Sequence, residues 1–379
     1  MKKLSVLTLI DINPNKLGAL EEYALGLSTE LIRRGHFAAV GFQEYPPPWL
    51  MEKFDSSGIE VLKLSLSNGG FQFIRDLRKA IRKYGINLVH ATFYDTYSLP
   101  LIIATLRRSC TLFYSDQISR IPDDRPKRGL TGIFRFLKSR LYQRFIRTII
   151  ADAEFIKECQ IQDLFTKPDK LKVIYNGVNL QRFGKITSGN RSHILKKLKI
   201  PTDSSVIVTI AQFSWVKGLN YLLDAAKIVI KERPNTIFSI IGDGPERVPL
   251  EKQAADLGLS DNCIFTGMRV DTEVFLSAAD IYVLPSVWEE AFSFSLLEAM
   301  ASGCPVVSTR TGAIPESVQD GVTGILVPPR DAKATADAIL KLLNDEPLRL
   351  EMGLAARKRV EDHFSLDHWI NQTIDLYGE

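Results

Sequence analysis

Cysteine is scarce in this sequence: Cys110, Cys159, Cys263 and Cys304 stand far apart among 379 residues, with no C-x-x-C pair. That spacing excludes a disulfide framework and a zinc-ribbon site, and it suits a reducing compartment, so a cytoplasmic setting is expected. The five histidines (His36, His90, His193, His363, His368) show no ligand spacing, so no metal site is expected. Long apolar runs are missing too. The stretch from Tyr97 to Leu106 is broken by Pro100 and is too short to span a bilayer. The LSVLTLI run after Met1-Lys2-Lys3 stops at Asp11, Asn13 and Pro14 with no small-residue cleavage site, so it reads as a buried first strand and not as a signal peptide. Prolines and glycines are scattered, which excludes collagen-like and low-complexity chains, and no solenoid period recurs.

What is present is an ordinary globular composition, 45% apolar and 24% charged, at a length that suits two domains. The net charge of +4 hides an asymmetry: residues 1–185 hold 29 Lys/Arg against 18 Asp/Glu, and residues 186–379 hold 19 against 26. One basic and one acidic half suggest two domains with different partners. Within the basic half, Pro126–Ile150 carries seven cations and no acid. Between Gly129 and Ile149, the residues Leu130, Ile133, Phe134, Leu137, Leu141, Phe145 and Ile149 follow a helical stripe. Lys127, Arg128, Arg135, Lys138, Arg140, Arg144 and Arg147 surround it. A basic amphipathic helix with aromatics suits an anionic membrane surface; the same stripe also suits a helix packed on its own sheet.

Short β-branched runs alternate with helical periodicity along the whole chain. Strands are expected at Leu4–Ile10, Ala38–Phe42, Val61–Leu64, Leu88–Ala91, Leu112–Ser115 and Val173–Tyr175, with a helix at Leu20–Arg34. The series restarts with strands at Ser205–Ala211, Thr236–Ile241, Cys263–Thr266, Ile281–Leu284, Val306–Ser308 and Gly324–Val327. The tail reads as helices at Lys333–Leu343, Leu348–Glu361 and Leu366–Tyr377. This alternation predicts an α/β fold of two doubly wound Rossmann-like domains facing a cleft, joined within the polar stretch Leu180–Thr202.

The sharpest local feature runs from Pro285 to Met300. A strand ends near Leu284, a small-residue loop follows, and a helix begins near Ser295, whose free N–H groups and macrodipole suit a phosphate. Glu290 lies on the loop. Glu298 lies a turn inside the helix, where a carboxylate can hold the two hydroxyls of a ribose. Two plainer readings stand beside these: Ser295-x-x-Glu298 is also a capping box, and Glu290 is also a solvated loop acid. Asn176-Gly177 reads as a type I′ turn, and Gly242-x-Gly244 as a turn after a strand.

Glu290 and Glu298, seven residues between them, within PS…E…F…LEAMASGCPVV, resemble the C-terminal motif of glycosyltransferase family 4. The segments LEEYALGLSTELIRRGH, VIYNGVNLQRF, VKGLNYLLDAAKIV, IIGDGPE, FTGM, TGAIPE and DGVTGILVPP follow in the family's order. The resemblance implies the GT-B fold and transfer of a sugar from a nucleotide-diphosphate donor with retention of configuration. It implies an acceptor-binding domain over 1–185, a nucleotide-sugar-binding domain over 186–360 and a helix over 361–379 that crosses back. By the same resemblance, Glu298 holds the donor ribose and Glu290 the transferred sugar. Backbone at Phe292 and Ser293 lines that sugar, Lys217 meets the diphosphate, Gly18 lets backbone approach the phosphate and acceptor, and Gly267 to Val270 reads the base. Read alone, Lys217 is also a surface lysine and Gly18 a turn glycine.

Three departures from the family pattern stand out. The Gly-Arg that often precedes the lysine loop is Ala211-Gln212, so Gln212 replaces a cation at the diphosphate. The second glycine of the N-terminal turn is Ala19. The histidine after a mid-domain strand is absent from Phe113–Ile118, leaving Asp116 as a hydrogen-bond acceptor or weak base, or Gln117 on the acceptor side; Asp116 as a loop cap is the other reading. The expected activity is a retaining, metal-independent glycosyl transfer to a carbohydrate or lipid-linked hydroxyl acceptor. No cofactor and no nucleic-acid partner are expected, and the expected location is the cytoplasm, free or peripheral on the inner face of the membrane. A nucleotide-sugar epimerase and a non-catalytic nucleotide-sugar-binding relic are the alternatives.

Overall fold

The computed structural model describes residues 3–106, 110–117, 130–184 and 188–378. They form two compact units, one of residues 1–176 with 366–379 and the other of residues 177–365.

The first unit is built on seven strands: β1 Ser5–Ile10, β2 Phe37–Phe42, β3 Glu60–Lys63, β4 Leu88–Thr92, β5 Thr111–Asp116, β6 Thr148–Ala151 and β7 Leu171–Val173. They lie in the order β3-β2-β1-β4-β5-β6-β7, and every pairing is parallel. A parallel sheet is covered on both faces, so its central strands bury residues of both parities. Val6, Leu7, Leu9 and Ile10 of β1 are all buried, as the uninterrupted LSVLTLI run requires. The helix Ala19–Arg33 sits on one face, burying Tyr23, Ala24, Leu27 and Leu31 at helical spacing.

The C-terminal helix Leu366–Gly378 packs on that same helix. Trp369 stacks on Tyr23 with ring centroids 3.7 Å apart, and the Tyr23 hydroxyl donates to Thr373 Oγ1 at 3.1 Å. Gly26 leaves room for Ile370, whose Cδ1 lies 2.6 Å from where a Cβ would stand. Further along, Tyr377 reaches His90 on β4. His90 Nδ1 is 2.6 Å from the Tyr377 hydroxyl, and Nε2 is 2.7 Å from Ser115 Oγ. Complete burial holds the imidazole neutral, with its pKa pushed down to about 3.

The second unit repeats the plan with six strands: β8 Ser205–Ile210, β9 Thr236–Ile241, β10 Cys263–Gly267, β11 Ile281–Leu284, β12 Val306–Thr309 and β13 Gly324–Val327. Their order is β10-β9-β8-β11-β12-β13, again parallel throughout. Ile207, Phe238 and Val283 of the sheet pack with Leu222, Ala226 and Val229 of the helix Leu219–Glu232. Strand order reverses between β8 and β11, which creates a crevice at their C-terminal ends.

The units divide at Asn176, earlier than the polar stretch suggests. Val178 bonds to the Phe364 carbonyl at 2.9 Å, Arg182 pairs with Glu273 at 2.9 Å and Phe183 is buried, so 177–184 is packed on the second unit. The last helix begins at Leu366, as its periodicity suggests, and the C-terminal segment therefore starts there and not at 361, because the helix Glu346–His363 belongs to the second unit. Neither Asn176 nor Gly177 has the positive φ of a type I′ turn.

The basic stripe is also cut differently. The helix there is Leu130–Tyr142, and Ile149 lies in β6, fully buried. The β-branched pair Ile149-Ile150 pairs with β5, which ends any continuous helix before it. Lys127, Arg128, Gly129, Ile118 and the side chain of Leu130 lie outside the described residues.

Candidate active site

In the second unit the loops after β8 and β11 meet at the reversal of strand order. After β8 the chain turns through Ala211–Ser214 and a short 3-10 turn, Trp215–Lys217, then enters the helix Leu219–Glu232 through Gly218. Gly218 has φ +65°, and a Cβ on it would stand 2.2 Å from the Pro285 carbonyl oxygen. Only glycine permits both that conformation and that approach. Val287 N–H donates to the Val216 carbonyl at 2.9 Å, fastening the two loops together.

This stitching brings Lys217 to Glu290. Lys217 Nζ lies 2.6 Å from Glu290 Oε1, with side chains 21% and 6% exposed. The fully buried Ser286 hydroxyl donates to the same oxygen. The Ser286 carbonyl in turn accepts from Thr309 Oγ1 at 2.6 Å, and the Glu290 carbonyl accepts from Ala313 N–H at 2.9 Å. Glu290 is therefore a fixed, buried carboxylate, and the solvated-acid reading is excluded. Ser286 was missed from sequence; its signal was only its place right after the strand-ending Pro285.

The helix after this loop starts at Phe294, with Ser293 as N-cap. Ser295 is thus inside the first turn, and its Oγ accepts from the Tyr282 hydroxyl at 2.8 Å. The capping-box reading of Ser295 and Glu298 therefore does not apply, since Ser295 is not the cap. Burial raises the Tyr282 pKa, the Ser295 hydrogen bond opposes this, and the negative charges of Glu298 and Glu290 add to it. Phe292 is buried against Phe364, ring centroids 5.0 Å apart, which leaves its backbone to line the loop.

The loops after β9 and β10 extend this floor. Phe213 N–H donates to the Asp243 carbonyl at 2.8 Å, and Gly242 N–H to the Gly267 carbonyl at 3.0 Å. A Cβ on Gly242 would stand 1.8 Å from the Ala211 carbonyl oxygen, so loop contact alone accounts for that glycine. Gln212 is exposed beside it. Gly267 closes β10 with φ +71°; Val270 is exposed, its carbonyl accepting from Arg182 Nη2 at 2.8 Å.

Gly18, Asp116 and Gln117 lie in the first unit. Gly18 is the N-cap of Ala19–Arg33 at φ −95°, extended backbone that any residue adopts, so Ala19 after it imposes no strain. Its N–H donates to Glu21 Oε2 at 3.0 Å, and burial raises the Glu21 pKa. Asp116 is fully buried, its carboxylate accepting from Gln160 Nε2. Gln160 Oε1 accepts from Thr166 Oγ1 at 2.7 Å, and Thr166 Oγ1 lies 2.6 Å from the Tyr97 hydroxyl. Asp116 is therefore part of an internal polar network, neither an exposed base nor a loop cap.

Gln117 belongs to a different chain of bonds. Asn176 Nδ2 donates to Asp152 Oδ2 at 3.3 Å, and Gln117 Nε2 donates to Asn176 Oδ1 at 2.7 Å. A carboxylate only accepts, so it sets the orientation of both amides. Among the described residues, Gln117 Oε1 is left buried with no hydrogen-bond partner. Asp152 and Asn176 were missed from sequence, because the Asn-Gly pair has a ready turn reading. Among the described residues no three His, Cys, Asp or Glu side chains cluster to hold a metal ion, and no helix is long and apolar enough to cross a membrane.

Two parallel-sheet Rossmann-like domains of this kind define the GT-B architecture, and the chain shares it with solved glycosyltransferases. The Anabaena HepE structure in complex with UDP-glucose superposes with a TM-score of 0.82 at 21% identity, covering 98% of this chain and 99% of that one. The model of glycosyl transferases group 1 matches residues 190–359, and that of glycosyltransferase family 4 matches residues 20–182. The chain belongs to these family 4 glycosyltransferases. It is 26% identical to an uncharacterized glycosyltransferase of Methanocaldococcus jannaschii over 96% of this chain and 95% of that protein. It is 32% identical to the N-acetyl-alpha-D-glucosaminyl L-malate synthase of Bacillus anthracis, over 56% of this chain and 54% of that protein.

Proposed function

We propose that the protein transfers a sugar from a nucleotide-diphosphate donor to a hydroxyl acceptor with retention of anomeric configuration and without a metal ion. The observation that carries this is the Lys217–Glu290 pair at the β8 and β11 ends, 2.6 Å apart and held by Ser286. In this reading the donor diphosphate draws Lys217 off Glu290, and the N-terminus of Phe294–Ala301 adds its dipole. Both act on charge that grows as the glycosidic bond breaks, where a preorganised cation lowers the barrier most. Glu290, freed of its partner, meets the hydroxyls of the departing sugar, and Glu298 holds the ribose. The acceptor oxygen attacks on the face the diphosphate leaves, and a phosphate oxygen takes its proton.

Support for the donor class comes from Anabaena HepE, whose structures hold UDP, UDP with glucose, and UDP-glucose. On the acceptor side we assign Gln117 in preference to Asp116, since Gln117 Oε1 awaits a donor while Asp116 is satisfied internally. A carbohydrate or lipid-linked hydroxyl would fill that need, the latter on the inner face of a membrane.

A thermal-shift panel of nucleotide-sugars tests the reading. A ligand at a hundred times its Kd stabilises by about 2.7 kcal/mol, and Lys217→Ala should abolish the shift. No shift with any nucleotide-sugar would refute the proposal.

A further inference from the structure

The helix Leu130–Tyr142 has its polarity turned outward. A helix on a sheet normally buries its apolar stripe and exposes its polar face. Here the buried side chains are polar: Ser139 Oγ donates to the Tyr97 hydroxyl at 3.0 Å, and Gln143, just past the helix, donates to Ser139 Oγ at 3.1 Å. Gln143 Oε1 also accepts from Lys167 N–H at 3.0 Å, so this inner face is anchored by hydrogen bonds. The stripe Ile133, Phe134, Leu137 and Leu141, spaced by one, three and four, shares the opposite face and is exposed. Phe134 reaches 74% and Leu137 57%. Four large apolar side chains on one exposed helix face exceed the scattered exposure of an ordinary surface.

Its charge is of one sign. From Leu130 to Ile150 the sequence holds Arg135, Lys138, Arg140, Arg144 and Arg147 and no acidic residue. At helical spacing Lys138 falls on one flank of the stripe and Arg140 on the other. Two of these cations lie over aromatic rings of the same segment, Lys138 over Tyr142 at 5.5 Å and Arg140 over Phe136 at 5.0 Å, which holds each on its flank of the helix.

We propose that this helix face is a docking surface for an anionic lipid bilayer. The apolar stripe enters the boundary between headgroups and acyl chains, while the cations meet the phosphates around it. A plane of negative charge complements Lys138 and Arg140 on the two flanks of the stripe and Arg144 just past the helix. The purpose, bringing the enzyme to a lipid-linked acceptor, rests on the acceptor reading above; the docking itself does not.

Co-sedimentation with phosphatidylcholine vesicles, with and without phosphatidylglycerol, tests it. The protein should pellet with the anionic vesicles at low salt and be released by added salt. Each lysine or arginine near the surface contributes about fivefold in partition, so Lys138→Glu, Arg140→Glu and Arg144→Glu together should lower binding by at least about a hundredfold. Phe134→Ser with Leu137→Ser should weaken it by at least tenfold, on the order of the apolar area they expose. Nucleotide-sugar thermal shifts of the same variants report folding and donor binding, and should match wild type. No pelleting, or pelleting unchanged by the charge reversals, would overturn the docking surface while leaving the donor reading intact. A concentration-dependent dimer dissolved by the apolar substitutions would overturn it too, by giving the stripe to a second copy.

Discussion

Replacing Glu290 by glutamine separates chemistry from binding. Glutamine keeps the shape and one carbonyl acceptor for Lys217 and Ser286 but removes the charge. Losing one partner of a buried ion pair costs about 3–5 kcal/mol when the other is left dry. Lys217 keeps a fifth of its side chain exposed and finds water, so the folding cost here falls to on the order of 1 kcal/mol, or about 2–4 °C in Tm. For the donor the sign reverses, because the diphosphate no longer competes with a carboxylate for Lys217. Donor Kd should stay unchanged or tighten, by at most about fivefold. Turnover should fall by about 10²–10³, the loss expected when a charge acting mainly in the transition state is removed. Isothermal titration with the nucleotide-sugar selected by thermal shift gives Kd, and nucleotide-diphosphate release gives kcat. Near-wild-type turnover would refute the role given to Glu290. A tenfold weaker Kd would refute the competition for Lys217.

Glu298→Gln should do the opposite, weakening donor Kd by about tenfold through a poorer ribose contact while kcat falls less; titration of the same donor checks it. Activity should survive EDTA, because Lys217 and the helix N-terminus act on the leaving diphosphate; loss with chelator that magnesium or manganese restores would contradict this. His90 is neutral when folded, with a pKa near 3, and takes up a proton near its ordinary 6.5 when unfolded. Its contribution is therefore present above pH 6.5 and is lost as pH falls toward 3, at the limit by roughly 5 kcal/mol. Urea unfolding across that range should show the decline, and His90→Gln should flatten it.

The alternation of β-branched runs and helical stripes was enough to locate both sheets, because in a parallel sheet buried strands leave uninterrupted apolar runs such as Leu4–Ile10. The edges of that reading failed where local pattern and tertiary pairing compete. Ile149 continues a helical stripe in sequence, yet it pairs with Tyr114 of β5. The boundary near Asn176 was hidden because Val178 and Phe183 bind residues far along the chain.

At the candidate site, Lys217, Glu290 and Glu298 were singled out through two family-like segments, and the structure brings the first two to 2.6 Å; the roles given to all three rest on the resemblance. Ser286, Asp152 and Asn176 were not, since a short polar side chain gains its role only from the partner it meets. Asp116 and Gln117 adjoin in sequence and part in structure: one is tied to Gln160, the other to Asn176. Strand alternation sends them to opposite sides, and no composition argument decides which side meets a ligand.

The central claim is retaining transfer from a nucleotide-sugar, and the anomer of the first product tests it most directly. Proton NMR should follow the protein with the α-linked nucleotide-sugar that gives the largest thermal shift, in the presence of an acceptor or of water alone. The account predicts release of nucleotide diphosphate together with an α-configured product, formed before any mutarotation and lost in Glu290→Gln. A β-configured first product, or binding with no release of nucleotide diphosphate, would contradict it.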